Sequence, residues 1–182
     1  MLFKKVKVDY DFSTVLATDH TVHTGSCIQH QRRELADIHA QVGALPDTYV
    51  LANTTIHQLW WDRDQVDYDQ LGQQLDMDVV SVSSIMQPPG NCIPYHRDMF
   101  HKISTAHPDR NNLKVRANIF LEPGLLGHIL QFTLNDVHET FTNWEANTGY
   151  MFDSEILHLS ANAGMQPKYT LQVSGFYTGQ LQ

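Results

Sequence analysis

The sequence predicts a mainly β domain of the α+β kind, an antiparallel sandwich or barrel with helices from its N-terminal part packed on it. Three observations carry this prediction. From Val79 onward, short strand-like segments follow one another, Gly, Pro and Asn separate them, and helical periodicity is found only before that point.

Taken in order, residues 3–10 (FKKVKVDY) alternate apolar and polar like a strand. Gln31 to Val42 places Leu35, Ile38, His39 and Val42 at helical spacing before Gly43, which predicts a helix. A second short helix is expected over Val66 to Leu75. VVSVSSIMQ then reads as a strand, PPGN as a turn and CIPYHRD as the next strand. LKVRANIFLEPG, GHILQFTLND, HETFTNW, TGYMFD, LHLSA and KYTLQVSGFYT continue the series. In Lys114–Leu121 one face carries Val115, Ala117, Ile119 and Leu121, and the other Lys114, Arg116, Asn118 and Phe120. That polar face suits either a solvent-facing edge or the inside of a barrel that holds a charged ligand. The last strand is similar, with Tyr169, Leu171 and Val173 on one side and Lys168, Thr170, Gln172 and Ser174 on the other.

Length and composition set the frame. The 182 residues suit one domain, expected to span 1–182, and with 42% hydrophobic and 18% charged residues and no biased tail the chain reads as globular throughout. A formal net charge of -8 argues against a nucleic-acid partner recognised through its phosphates. The short basic clusters Lys4-Lys5-Lys7 and Arg32-Arg33 read as solvated faces. Cys27 and Cys92 allow at most one bridge and have no partner motif, and no apolar h-region follows Met1. A cytoplasmic location is the resulting expectation. No apolar run approaches the roughly 20 residues that a membrane span needs, so no membrane partner is expected.

Eleven histidines raise the question of a metal. In Tyr95-His96-Arg97-Asp98 the His and Asp are two apart, so on an extended segment both project to the same side. His158, in ILHLSA on a late strand, is the best-placed third ligand. Two imidazoles and one carboxylate leave positions open for a cosubstrate and O2, which is the chemistry of non-haem Fe(II) oxygenases. His-x-Asp alone is a weak signal, and its neighbours strengthen it. Lys168 lies ten positions after His158, near the start of a strand, where a cation meets the far carboxylate of a metal-bound dicarboxylic acid. Arg116 lies on a polar strand face between the ligand segments. Each alone reads equally as a surface cation; together they propose a pocket suited to 2-oxoglutarate. Trp60 and Trp61 read as one surface and one core aromatic. His101 and His107 are expected in the loop after the His96 strand, bordering the substrate opening.

The stretch from Ile85 to Gly175 resembles the aspartyl/asparaginyl β-hydroxylase branch of the 2-oxoglutarate oxygenases. Three segments carry the resemblance: Pro88 to Asp98 (PPGNCIPYHRD), Arg116 to Gly124 (RANIFLEPG), and Trp144 to Gly164. The third is the most specific, matching at Trp144, Gly149, Phe152, Asp153, His158 and Asn162. The resemblance implies a double-stranded β-helix (a cupin-like jelly roll) with a core at about residues 79–178, and Fe(II), 2-oxoglutarate and O2 as cofactors. It also implies His96 and His158 as ligands, Arg116 as a cosubstrate contact near the metal, and hydroxylation of an amino-acid side chain, free or in a peptide or protein.

This chain departs from the family pattern in three places. Lys168 stands where the family has an Arg, keeping the charge without the bidentate fork. Asn118 replaces the usual His and keeps a polar contact. Asp98 adds a carboxylate where animal members have Gly. Two other readings stay open: a different cupin-type metalloenzyme or isomerase, although the second His and the Glu expected close behind the first are missing, and a jelly-roll binding or structural protein with a vestigial site.

Overall fold

The computed structural model describes residues 1–22, 24–26 and 55–180. The helix expected over Gln31–Val42, the Arg32-Arg33 pair and Cys27 lie outside the described residues. Eleven strands are present among those described: β1 (Phe3–Lys7), β2 (Thr24–Ser26), β3 (Thr55–Trp61), β4 (Met77–Gln87), β5 (Asn91–His96), β6 (Lys114–Phe120), β7 (His128–Leu134), β8 (Val137–Phe141), β9 (Thr148–Asp153), β10 (Leu157–Asn162) and β11 (Lys168–Tyr177). They form a seven-stranded sheet in the order β1-β9-β6-β11-β4-β3-β2 and a four-stranded sheet in the order β5-β10-β7-β8. Every pairing is antiparallel. The fold is mainly β, a double-stranded β-helix, as the sequence predicts.

The seven-stranded sheet has two different faces, and the alternation of its strands builds both. Val115, Ala117 and Ile119 of β6, Leu171 and Val173 of β11, Val82 of β4 and Leu59 and Trp61 of β3 form the outer face. The helix Tyr68–Leu75 packs on this side, its buried residues Tyr68, Leu71, Gly72 and Leu75 falling at i, i+3, i+4 and i+7. It begins two residues later than the periodicity suggests because Asp67 caps it, its side chain accepting from Gln70 N at 2.9 Å. Asp76, at φ 51, ends it in the left-handed conformation.

The inner face looks towards the four-stranded sheet. Phe120, Tyr150 and Phe152 meet Leu130, Phe132, Trp144 and Ile156 there in a second core cluster of mostly aromatic residues. Trp144 stacks on Phe120 with ring centroids 3.8 Å apart. Gly149 lets β9 pass close to β6, since a Cβ there would sit 1.9 Å from the Asn118 carbonyl oxygen. Arg116 and Asn118 share this face of β6 with Phe120, so the polar side of β6 is barrel interior and not an edge: β6 lies between β9 and β11. Trp61 is 6% exposed and Trp60 49%, the division that strand alternation predicts.

Between β5 and β6 the chain forms the short helix His101–Ala106 where the sequence suggests a loop. Phe100 and Ile103 bury against Phe176, and the His107 ring meets Phe176 edge-on at 5.6 Å, so apolar contact with β11 orders this segment. His107 itself is exposed and touches Phe176 by its ring edge.

Candidate metal centre

His96 ends β5, and His158 sits opposite it in register on β10. Their rings lie 4.2 Å apart, centroid to centroid. Each is oriented by its own backbone: the carbonyl of Pro94 accepts from His96 Nδ1 at 2.8 Å, and that of Ile156 from His158 Nδ1 at 3.1 Å. A carbonyl accepts only, so the proton is on Nδ1 in both rings and the lone pair is on Nε2. Phe152 and Phe132 pack against His158 at 4.6 and 5.7 Å, forming an apolar wall behind the imidazole. Burial first, then repulsion from His158, pushes His96 down to about 4, and burial lowers His158 as well. Both imidazoles are therefore neutral at pH 7, the form that binds a metal.

Asp98 joins them from beyond the strand end. Its Oδ1 lies 3.9 Å from His96 Nε2, and one donor atom from each of the three residues falls within 4.8 Å of the others. Burial alone would raise the Asp98 pKa, but Arg116 foremost, then the two histidines, hold it below the ordinary carboxylate value. Arg116 Nη1 donates to Oδ1 at 2.6 Å, while Oδ2 is buried with no hydrogen-bond partner. An unpaired carboxylate oxygen away from water is costly unless something positive meets it. A divalent cation between the three donors would satisfy it, and two neutral imidazoles with one carboxylate fit iron.

The seven-stranded sheet supplies the remaining predicted residues. Arg116 also donates from Nε to Ser174 Oγ at 3.0 Å. Asn118, two residues on along the same face of β6, is buried with Oδ1 unpartnered. Lys168 is 3% exposed and stands apart from the triad: its Nζ donates to Ile129 O at 2.9 Å, Ser160 Oγ at 2.6 Å and Ala161 O at 3.1 Å. Burial pulls its pKa down to about 7. Ser160 Oγ spends its own proton on Gln87 Oε1, so all three neighbours of Nζ act as acceptors and together they favour the ammonium. Ser160 is two residues, roughly 6.6 Å, along β10 from His158 and on the same face.

The matching residues of the Trp144–Gly164 segment are mostly supports. Asp153 accepts from the backbone N–H groups of Leu2 and Glu155, tying the N-terminus to the end of β9. Asn162 donates to the carbonyls of Gln87 and Gln166 and accepts from Gly164 N, joining β10 to β4 and to the turn before β11. Sequence reasoning did not single out Ser174, Ser160, Phe132 or Phe100. Ser174 was visible on the polar face of the last strand, but its contact with Arg116 needs the β6–β11 register.

No family model matches the sequence, and no curated protein matches it. Among solved structures, the fold is similar to a prolyl-4-hydroxylase from Pseudomonas putida, with 17% identity over 91% of this chain and 99% of that one and a TM-score of 0.54. It is also similar to the non-haem α-ketoglutarate-dependent epimerase SnoN from nogalamycin biosynthesis, with 11% identity, a TM-score of 0.55, and coverage of 97% of this chain and 81% of that one. At these identities the likeness shows the fold they share, the jelly-roll architecture.

Proposed function

We propose that this protein is an Fe(II)- and 2-oxoglutarate-dependent oxygenase that hydroxylates an amino-acid side chain, free or within a peptide or protein. We assign it to the aspartyl/asparaginyl β-hydroxylase branch, as a single domain over residues 1–182. The observation that carries this reading is the buried group of His96, Asp98 and His158, with two neutral imidazoles and a carboxylate oxygen left unpartnered between the sheets of a jelly roll. The two similar structures support it, since one is a hydroxylase and the other an α-ketoglutarate-dependent enzyme. Their reactions differ, so the choice of hydroxylation and of an amino-acid substrate rests on the motif resemblance from Trp144 to Gly164.

Iron held by His96, Asp98 and His158 would supply O2 activation coupled to oxidative decarboxylation, so that 2-oxoglutarate, O2 and a C–H bond give succinate, CO2 and the alcohol. The chain's own residues bind and orient. Lys168 meets the far carboxylate of 2-oxoglutarate, which takes the place of one of its carbonyl acceptors. Asn118 offers its amide to the near end. Arg116 keeps Nη2 for a cosubstrate carboxylate, having no other partner for it among the described residues. Phe132 and Phe152 keep water from the back of His158.

The test is turnover. Protein loaded with Fe(II) under argon, then given 2-oxoglutarate and 18O2 with a panel of amino acids and peptides, releases succinate in equal amount to a product carrying one 18O atom. Succinate release that no member of the panel stimulates would leave the amino-acid substrate without support.

A further inference from the structure

Asp98 is held differently from the two histidines. β5 ends at His96, so no ladder fixes the carboxylate, and the chain turns away through Phe100 at φ 49. A bulky residue in the left-handed region is strained and persists only where its surroundings hold it. Burial of the Phe100 ring against Ile103, Phe176 and Val80 does that. The Arg116 guanidinium lies over the same ring, 5.6 Å from its centroid. From this seat it reaches Asp98 Oδ1 through Nη1 at 2.6 Å and Ser174 Oγ through Nε at 3.0 Å. Arg116 and Ser174 are direct cross-strand partners on β6 and β11, so the clamp is mounted on the middle of the seven-stranded sheet. Its effect is asymmetric: one carboxylate oxygen is pinned, and the other is left without a partner.

We propose that Arg116 is a positioning residue for Asp98: anchored by Ser174 and Phe100, it fixes the carboxylate beside His96 and His158, where it completes the metal site. This rests on reading the triad as a metal site and gives Arg116 a task besides any contact with the cosubstrate. The sign of its effect separates positioning from charge. A cation beside a divalent ion repels it, so a guanidinium acting only as a nearby charge weakens metal binding, and its removal tightens it. A guanidinium that positions the ligand works in the opposite direction, and its loss weakens binding. Lysine in its place keeps the charge and the contact to Asp98 but cannot hold Ser174 with the same planar fork.

The experiment measures Mn(II) affinity by calorimetry on the full chain, without cosubstrate and without turnover. It compares wild type, R116Q, R116K, S174A, D98A and the D98A/R116Q double variant. The expected result for R116Q is a loss of about 10–100-fold, the range for partners that orient metal ligands. R116K restores part of the loss, S174A gives a smaller one, and R116Q adds nothing in the D98A background. R116Q binding Mn(II) as tightly as wild type, or more tightly, overturns the proposal, and so does an undiminished loss in the D98A background. Should R116Q fail to fold, S174A decides: unchanged affinity overturns the clamp, and a loss at unchanged melting temperature supports it. Wild-type protein that binds no Mn(II) would remove the metal site itself, a different result from a site that binds and ignores Arg116.

Discussion

The two sheets face each other and bring different chemistry to the site between them. The four-stranded sheet brings two imidazoles in register on neighbouring strands, each tethered to its own backbone, with Phe132 as part of their apolar wall. The seven-stranded sheet brings the polar groups Arg116, Asn118, Ser174 and Lys168, of which Arg116 and Lys168 are the cations. Asp98 belongs to neither, sitting past the end of β5 and held by Arg116 of the seven-stranded sheet. The three proposed metal ligands are therefore not equally secured. Two are built into a ladder, and the third depends on the opposite sheet.

Removing a strand-mounted ligand should have the largest effect. His96→Ala or His158→Ala is expected to abolish tight Fe(II) binding, while Asp98→Ala weakens it without abolishing it. Anaerobic iron titration reads both, and either histidine variant keeping wild-type stoichiometry and affinity breaks the assignment. Next comes the wall. Phe132 is fully buried and touches His158, Phe152 and Tyr150, so Phe132→Ala should cost about 3–5 kcal/mol in urea denaturation. A loss under about 1 kcal/mol would mean that the aromatic cluster collapses freely around the gap.

A further expected effect is on the pH dependence of stability. His96 is held at about 4 in the fold against about 6.5 when unfolded. Between those values the unfolded chain takes up a proton that the native chain refuses, so stability is fully present above pH 6.5 and is lost as pH falls towards 4. His158, also lowered, acts in the same direction. Each contributes at most about 1.4 kcal/mol per pH unit. Acid melting curves of metal-free protein should flatten in the His96→Gln variant, and a wild-type curve flat between pH 6.5 and 4 would contradict the burial of neutral imidazoles.

Alternation made much of this legible in the sequence. The two faces of β6 and β11 could be read directly because a strand of period two sorts its residues, and the polar set of Arg116, Asn118 and Lys168 came from that sorting. The His96 and His158 pairing was legible as a motif. What alternation cannot give is register: whether the polar face of β6 met solvent or a cavity depended on the strands beside it. The contacts of Arg116 with Asp98 and Ser174 likewise join residues 18 and 58 positions apart. The helix His101–Ala106 was hidden for another reason. Six residues are too few to show a helical period, and its order comes from Phe100 and Ile103 packing on Phe176.

If His96, Asp98 and His158 hold the iron and Lys168 the cosubstrate, metal and 2-oxoglutarate bind together. Calorimetric titration of 2-oxoglutarate under argon, with and without Fe(II), tests it most directly in wild type, His158→Ala and Lys168→Ala. One 2-oxoglutarate per chain is expected, bound only when Fe(II) is present. His158→Ala should show no binding, and Lys168→Ala at least tenfold weaker binding, about 1.4 kcal/mol, with iron affinity unchanged. Equal 2-oxoglutarate affinity with and without iron, or none in either case, would contradict joint binding.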